Sequence, residues 1–287
     1  MISIIICSVK KDERPKVEAN IKTTIGDIKY EVLWIDNTEN RYSIFQAYEE
    51  GTRKAQYKYL CFMHEDIVFH SQDWGRTSIK RMEEDENIGM LGVAGGQFVS
   101  RISDGWWSML KMRKGRIIQG FSAQGEQKIR EDIFDSDWTH NQVVAIDGLW
   151  MLTKKEVFDK GVHWDTVHYK GFHFYDLDFS IQIVEKGYRI EIIPVIIEHR
   201  SGGMQNPTFW DNYLSFHQKW NHFLPVHTSN ITQDDIKEYE DSLVGEIVNL
   251  NKTVLEQKGT IWKLRTQLSK TGYYKIQRIL SLFKNKH

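Results

Sequence analysis

Proline is scarce in this chain of 287 residues, with four in all, and cysteine is scarcer, with two. Two cysteines cannot build a disulfide framework. Cys7 and Cys61 both lie in apolar, strand-like runs, which suits buried thiols in a reducing compartment, and no cysteine-ligated zinc site is expected. No apolar stretch approaches the ~20 residues a spanning helix needs. The opening "MISIIICSVKKDERP" has no basic region ahead of its apolar run, which looks like a first strand, so no signal peptide is expected and the location is expected to be cytoplasmic. Charge bias is also missing: 38 basic and 39 acidic residues leave a net charge of -1, which excludes a bulk electrostatic footprint for nucleic acid.

What is present fits one large domain with an appendage. The first third alternates strand and helix patterns: "ISIIICSV", a helical stretch over 16–25, "YEVLWIDN", the amphipathic "YSIFQAYEEGTRKA" and "YKYLCFMHED". Strands apolar on both faces and separated by helices predict an α/β fold with a mostly parallel central sheet covered by flanking helices, in which ligands bind beyond the carboxyl ends of the strands. From about 93 to 140 no period is sustained, and irregular loops or a small hairpin are expected. The pattern resumes with "VVAIDGLWMLTKKEVF", then a helix carrying Leu177, Ile181 and Val184, then a single strand "RIEIIPVII" ending in Glu198, His199 and Arg200.

The early strands end in polar residues: Ser8, then Asp36 and Asn37, then His64, Glu65 and Asp66. A buried strand does not normally end in an imidazole and two carboxylates unless they meet solvent, a metal or a ligand. Asp176 and Asp178 fall near a helix N-terminus, where the dipole alone would favour them. In a parallel sheet Asp36, Asp66, Asp176 and His199 converge on one rim. Several carboxylates on a rim are costly unless a divalent cation shares it, bound by carboxylate oxygen and imidazole. Taken singly, Asp36 reads as a turn or cap, His199 as a satisfied strand-end histidine and Asp178 as a structural partner. The tryptophans Trp106, Trp107, Trp150 and Trp164 read as packing residues or as platforms for sugar rings.

The segments "ISIIICSVKKD", "VLWIDNTEN", "YLCFMHEDIVF", "AIDGLWMLTKKEVFDK", "GFHFYDLDFSIQIVEKGYRI", "IIEHRSGG" and "FHQKWNHFLP" span most of residues 1–225. In order and spacing they resemble the family 2 nucleotide-sugar glycosyltransferases of GT-A fold, and within them the glycosyltransferase-like subgroup related to a streptomycin-biosynthesis protein. The resemblance implies a nucleotide-sugar pocket at Ser8, Asp36, His64, Glu65 and Asp66. "HED" stands at the D-x-D motif, with His64 in place of the first Asp. Asp66 and His199 are implied as ligands of Mn²⁺ or Mg²⁺ bridging the donor diphosphate, and Asp176 as the catalytic base. Asp147, Gly148, Trp150 and Asp178 are placed on the acceptor side, with Gly148 letting the backbone approach the ligand.

The resulting expectation is an inverting, metal-dependent, non-processive transferase. It would move sugar from a nucleotide-diphosphate donor to a saccharide or lipid-linked acceptor, in cell-surface polysaccharide or glycolipid synthesis. A sugar nucleotidyltransferase is the alternative enzyme, though no glycine-rich, Arg- and Lys-bearing loop follows the first strand. A catalytically inactive, transferase-like scaffold is the non-enzyme alternative.

Three segments are expected: the transferase domain over 1–228, a helical coiled coil over 229–271 and a basic amphipathic tail over 272–287. Ile247, Val254 and Ile261 fall at heptad position a, with Leu243, Leu250 and Leu264 at d and Gln257 as one polar layer, a pattern that favours a parallel homodimer. A helix folded back on the domain is the other reading. In the tail, Tyr273, Ile276, Ile279, Leu280 and Phe283 oppose Lys275, Arg278, Lys284 and Lys286. Peripheral contact with anionic lipid, a partner-binding helix and a frayed end all remain open there.

Overall fold

The structure, a computed structural model, describes residues 1–107, 110–123, 126–135, 141–200 and 206–270. The basic tail, the glycines of "IIEHRSGG" and the end of the acidic "EDIFDSDW" lie outside the described residues. The chain divides into two compact units, Met1–Ile231 and the part from Thr232 onward.

The first unit opens as its pattern predicts: β1 (Ile2–Ser8), α1 (Arg14–Thr24), β2 (Tyr30–Asp36), α2 (Ile44–Lys54) and β3 (Tyr59–Met63). Helix α2 forms where Ile44, Phe45, Ala47, Tyr48 and Gly51 recur on one face and are buried. A reciprocal capping box between Ser43 and Gln46 satisfies its first donors. The chain continues through β4 (Ile67–Phe69), α3 (Trp74–Glu84), β5 (Ile88–Gly92), β6 (Ala94–Gly96) and β7 (Phe98–Val99). Next come β8 (Arg113–Ala123), β9 (Glu126–Asp135), β10 (Gln142–Val143), β11 (Ala145–Ile146) and β12 (Trp150–Lys154). It ends with α4 (Glu156–Asp159), α5 (Tyr175–Glu185), β13 (Arg189–Ile192), β14 (Ile197–His199), α6 (Pro207–Trp220) and β15 (Val226–His227).

A seven-stranded sheet in the order β10-β13-β5-β12-β3-β1-β2 carries the core. β1 pairs in parallel with both β2 and β3, and β13 with β5, so the sheet is mostly parallel as expected. β12, between β3 and β5, and the edge strand β10, beside β13, depart from that rule and run antiparallel to their neighbours. Ile2, Ile4, Ile5 and Ile6 are all fully buried, which is what a strand covered on both faces requires.

Two sequence expectations are sharpened or corrected. The stretch read as irregular loops or a small hairpin holds a long hairpin, with strands of eleven and ten residues, β8 and β9, within a second, six-stranded sheet of order β11-β6-β8-β14-β4 with β9 paired to β8. Its segment is too rich in charge for an apolar period of two to show. At Gly115 the hairpin also shifts register, with φ +112° and a backbone so close that a Cβ would stand 2.1 Å from the Val93 carbonyl oxygen. The single strand read in "RIEIIPVII" is two: β13 belongs to the first sheet and β14 to the second. Pro194, which cannot donate to a ladder, lies in the break.

The second unit contains α7 (Gln233–Lys270), 38 residues long. Thr232 and Asp235 cap its start reciprocally: the Thr232 main-chain N–H and hydroxyl donate to the carboxylate, and the Asp235 N–H donates to Thr232 Oγ1. The heptad positions Ile247, Leu250, Val254, Ile261 and Leu264 are exposed. No helix among the described residues is long and apolar enough to cross a membrane.

Candidate active site

Parallel strands bring their carboxyl ends to one edge, and there a cleft of about 1020 Å³ opens. His64, Glu65 and Asp66 follow β3 directly, His199 ends β14, and Asp147 and Gly148 lie in the turn before β12. Asp176 is the second residue of α5. The residue preceding that helix, Phe174, has φ +70°, a left-handed conformation costly for a side chain with a Cβ, and packs against Phe209 and Phe216.

Within the cleft His64, Asp66 and His199 form one cluster. His64 Nδ1 is 3.4 Å from His199 Nε2, His199 Nε2 is 3.5 Å from Asp66 Oδ1, and His64 Nδ1 is 4.0 Å from that same oxygen. Two imidazole nitrogens and a carboxylate oxygen all lying within 4.8 Å of one another are a donor set that suits a divalent transition ion, so these three residues could hold a metal. Their side chains are only 13, 25 and 12 % exposed. Burial and the neighbouring His199 push the His64 imidazole down to about 4 against the pull of Asp66, so His64 is neutral near pH 7. For His199 burial opposes charge, yet the hydrogen bond and charge of Asp66 prevail and raise it.

Asp176 lines the same cleft. Its Oδ2 accepts from Gly148 N–H at 3.1 Å and its Oδ1 from Leu177 N–H at 2.9 Å. Both bonds favour the carboxylate, but burial and then the charge of Asp147 outweigh them and push Asp176 up to about 7. Asp147 also lines the cleft, with its Oδ1 accepting from Leu149 N–H at 2.9 Å. A carboxyl poised near neutrality and partly open to a cleft can take a proton from a bound hydroxyl.

Gly148 is explained by a side chain. The space its Cβ would fill is held by Tyr175, whose Oη would stand 2.1 Å away. Glu65 reaches the cleft wall but both its oxygens are engaged, accepting from the main-chain N–H groups of Val9 at 3.0 Å and Lys10 at 3.2 Å, so it ties the end of β1 to the end of β3.

Four predicted site residues stand elsewhere. Ser8 is fully buried and its hydroxyl accepts from Arg14 Nε, while Asp36 pairs with Lys11 Nζ at 2.7 Å and accepts from Thr38; the cleft wall is made by their neighbours Cys7, Val9 and Asn37. Strand alternation is the reason, since adjacent residues face opposite sides. Trp150 is fully buried, edge-on to Trp74 with ring centres 6.0 Å apart, and cannot touch an acceptor. Asp178 is buried as a hub, accepting from Tyr169 Oη, Trp220 Nε1 and Gln182 Nε2 and paired with Lys219, and it anchors α6 to α5.

Among the described residues, two that lie in the cleft within hydrogen-bond reach of the cluster histidines were not anticipated. Tyr175 lies beside His64 and left a faint signal by preceding Asp176. Gln119 lies beside His199 and left none, being in the stretch without a period.

A family model described as "Glycosyltransferase like family" matches residues 3–221. No curated protein matches the chain. Among solved structures, one titled "Crystal Structure of A197 from STIV" is similar at 14 % identity and a TM-score of 0.36, over 69 % of this chain and 84 % of that one.

Proposed function

The chain belongs to this glycosyltransferase-like family, and from that premise we propose that it is an inverting, metal-dependent glycosyltransferase acting from a nucleotide-diphosphate sugar onto a hydroxyl acceptor. The observation that carries the reading is that Asp176, raised to about 7, shares one cleft with the His64, Asp66 and His199 cluster. On this reading the cluster holds Mn²⁺ or Mg²⁺, which when bound would offset the negative charge of the departing diphosphate.

The chain's own residues do the rest. Asp176 takes the proton of the acceptor hydroxyl as its oxygen bonds to the anomeric carbon, and the bond to the donor diphosphate oxygen breaks on the opposite side, which inverts the configuration. The main-chain N–H groups of Gly148 and Leu177 hold the carboxylate in place, and Asp147 keeps it basic enough to work near neutrality. The donor's nucleotide lies toward the ends of β1 and β2, along Val9, Lys10 and Asn37, and the acceptor toward Asp147 and Asp176. The seven family-like segments support a place in the subgroup related to a streptomycin-biosynthesis protein. Synthesis of a cell-surface polysaccharide or glycolipid is the setting, by analogy with the family.

The exposed β-branched a positions and Leu d positions of α7 support a homodimer through a parallel coiled coil. Calorimetric binding of UDP, GDP and their sugar conjugates, with and without Mn²⁺, tests the enzyme reading. Metal-dependent binding that is lost in Asp66→Asn and kept in Asp176→Asn supports it. Absence of nucleotide binding under every condition would leave a scaffold that only self-associates.

A further inference from the structure

Each histidine of the cluster has a second ring nitrogen, and each of those has a hydrogen-bond partner within reach. His199 Nδ1 is 3.4 Å from Gln119 Oε1. The amide cannot turn over freely, because Gln119 Nε2 donates to the Gly120 carbonyl at 3.1 Å. An amide oxygen only accepts, so once a cation replaces the proton that Nε2 can give Asp66 at 3.5 Å, the His199 proton sits on Nδ1 against Gln119 and the lone pair of Nε2 faces the cation. His64 Nε2 is 2.5 Å from Tyr175 Oη. A phenol can donate or accept, and the two choices have opposite results. If Tyr175 donates, the His64 proton sits on Nδ1 and points into the cluster, where it would repel a cation. If Tyr175 accepts, the lone pair of Nδ1 faces the cluster.

Both partners are held in place before any ligand arrives. Gln119 lies opposite His199 in the parallel register of β8 and β14. Tyr175 is 4 % exposed, is edge-on to Tyr48 with ring centres 5.7 Å apart, and fills the space left by the absent Cβ of Gly148. We infer that Tyr175 and Gln119 are positioning residues that fix the imidazole tautomers of His64 and His199, so that both histidines present lone pairs to one cation. The inference rests on the cation reading above. Outer partners of metal-bound histidines commonly act this way, and their loss typically weakens metal binding about 10- to 100-fold.

The test is Mn²⁺ titration calorimetry on the full chain, wild type against Tyr175→Phe, Gln119→Leu and Gln119→Glu, with circular dichroism as the folding check. Beside it, long-range ¹H–¹⁵N spectra of the metal-free, histidine-labelled protein in alkaline buffer read the tautomers directly. The expected result is about 10- to 100-fold weaker Mn²⁺ binding in Tyr175→Phe and Gln119→Leu, with binding retained in Gln119→Glu, which still accepts. The spectra are expected to show His64 protonated on Nε2 in wild type and a mixed tautomer in Tyr175→Phe. Folded variants with wild-type Mn²⁺ affinity and unchanged tautomers overturn the inference, as does a wild-type His64 protonated on Nδ1. Wild type with the expected tautomers but no Mn²⁺ binding removes the cation reading and leaves the tautomer assignment standing.

Discussion

The main-chain N–H of Gly148 points at Asp176 Oδ2 from 3.1 Å, while the side of Gly148 that lacks a Cβ receives Tyr175. One residue therefore positions the proposed base and makes room for the tyrosine beside His64, so a change at this position acts on both halves of the cleft.

Gly148→Ala puts a Cβ 2.1 Å from Tyr175 Oη and 2.4 Å from its ring, atoms that cannot move freely in a packed site. Overpacking of this kind costs about 1–3 kcal/mol. Urea unfolding is expected to show the loss, together with weaker Mn²⁺ binding. Unchanged values for both would mean that Tyr175 can give way.

Asp176→Asn removes the proposed base and leaves the shape, so turnover with a nucleotide sugar is expected to fall about 10²- to 10⁴-fold while donor affinity holds. Steady-state kinetics beside calorimetry separates the two, and a fall in donor binding alone would move Asp176 out of the base role.

The base works only when deprotonated, so kcat/KM should rise as pH increases through about 7, the value to which burial and Asp147 push Asp176. Asp147→Asn removes the second of those causes. Its rising limb should move to lower pH, and a limb that stays put would mean that the neighbouring charge has no hold on Asp176.

Asp178→Ala leaves Tyr169, Trp220, Gln182 and Lys219 without their shared acceptor. Breaking a buried, charged hydrogen-bond centre costs about 3–5 kcal/mol. Chemical denaturation should register it without a selective rise in acceptor KM, whereas a stable protein with a raised KM would return Asp178 to the acceptor side.

Ending the chain at residue 231 should lower the oligomeric state seen by light scattering and leave nucleotide binding intact. A dimer that survives the truncation would place its interface elsewhere.

Asp66, Asp176 and His199 were legible because each sits where apolar periodicity stops: after a strand, at a helix start, at a strand end. At Ser8 and Asp36 the same reasoning points one residue away from the cleft lining, where pairing geometry turns Cys7 and Asn37 toward it. Trp150 and Asp178 lie close in sequence to residues that line the cleft, but burial against Trp74 and a ring of four donors is set by tertiary packing that no local pattern carries. Gln119 was invisible because a charged hairpin has little apolar alternation to reveal it, and its place beside His199 depends on the pairing of β8 with β14, strands far apart in the chain.

The proline break between β13 and β14 also bears on motion. Ile192 and Ile197 are both fully buried, and the chain between them crosses from one sheet to the other in four residues, too short and too well packed to swing. His199 is therefore fixed to the rigid body of the protein, and so is Asp66, whose carbonyl accepts from Arg200 N–H at 3.0 Å. If the cleft must widen to release product, the travel belongs to the opposite wall at Phe172, which is 47 % exposed, ahead of the buried start of α5. In such a motion the proposed base and the proposed cation site would both stay still.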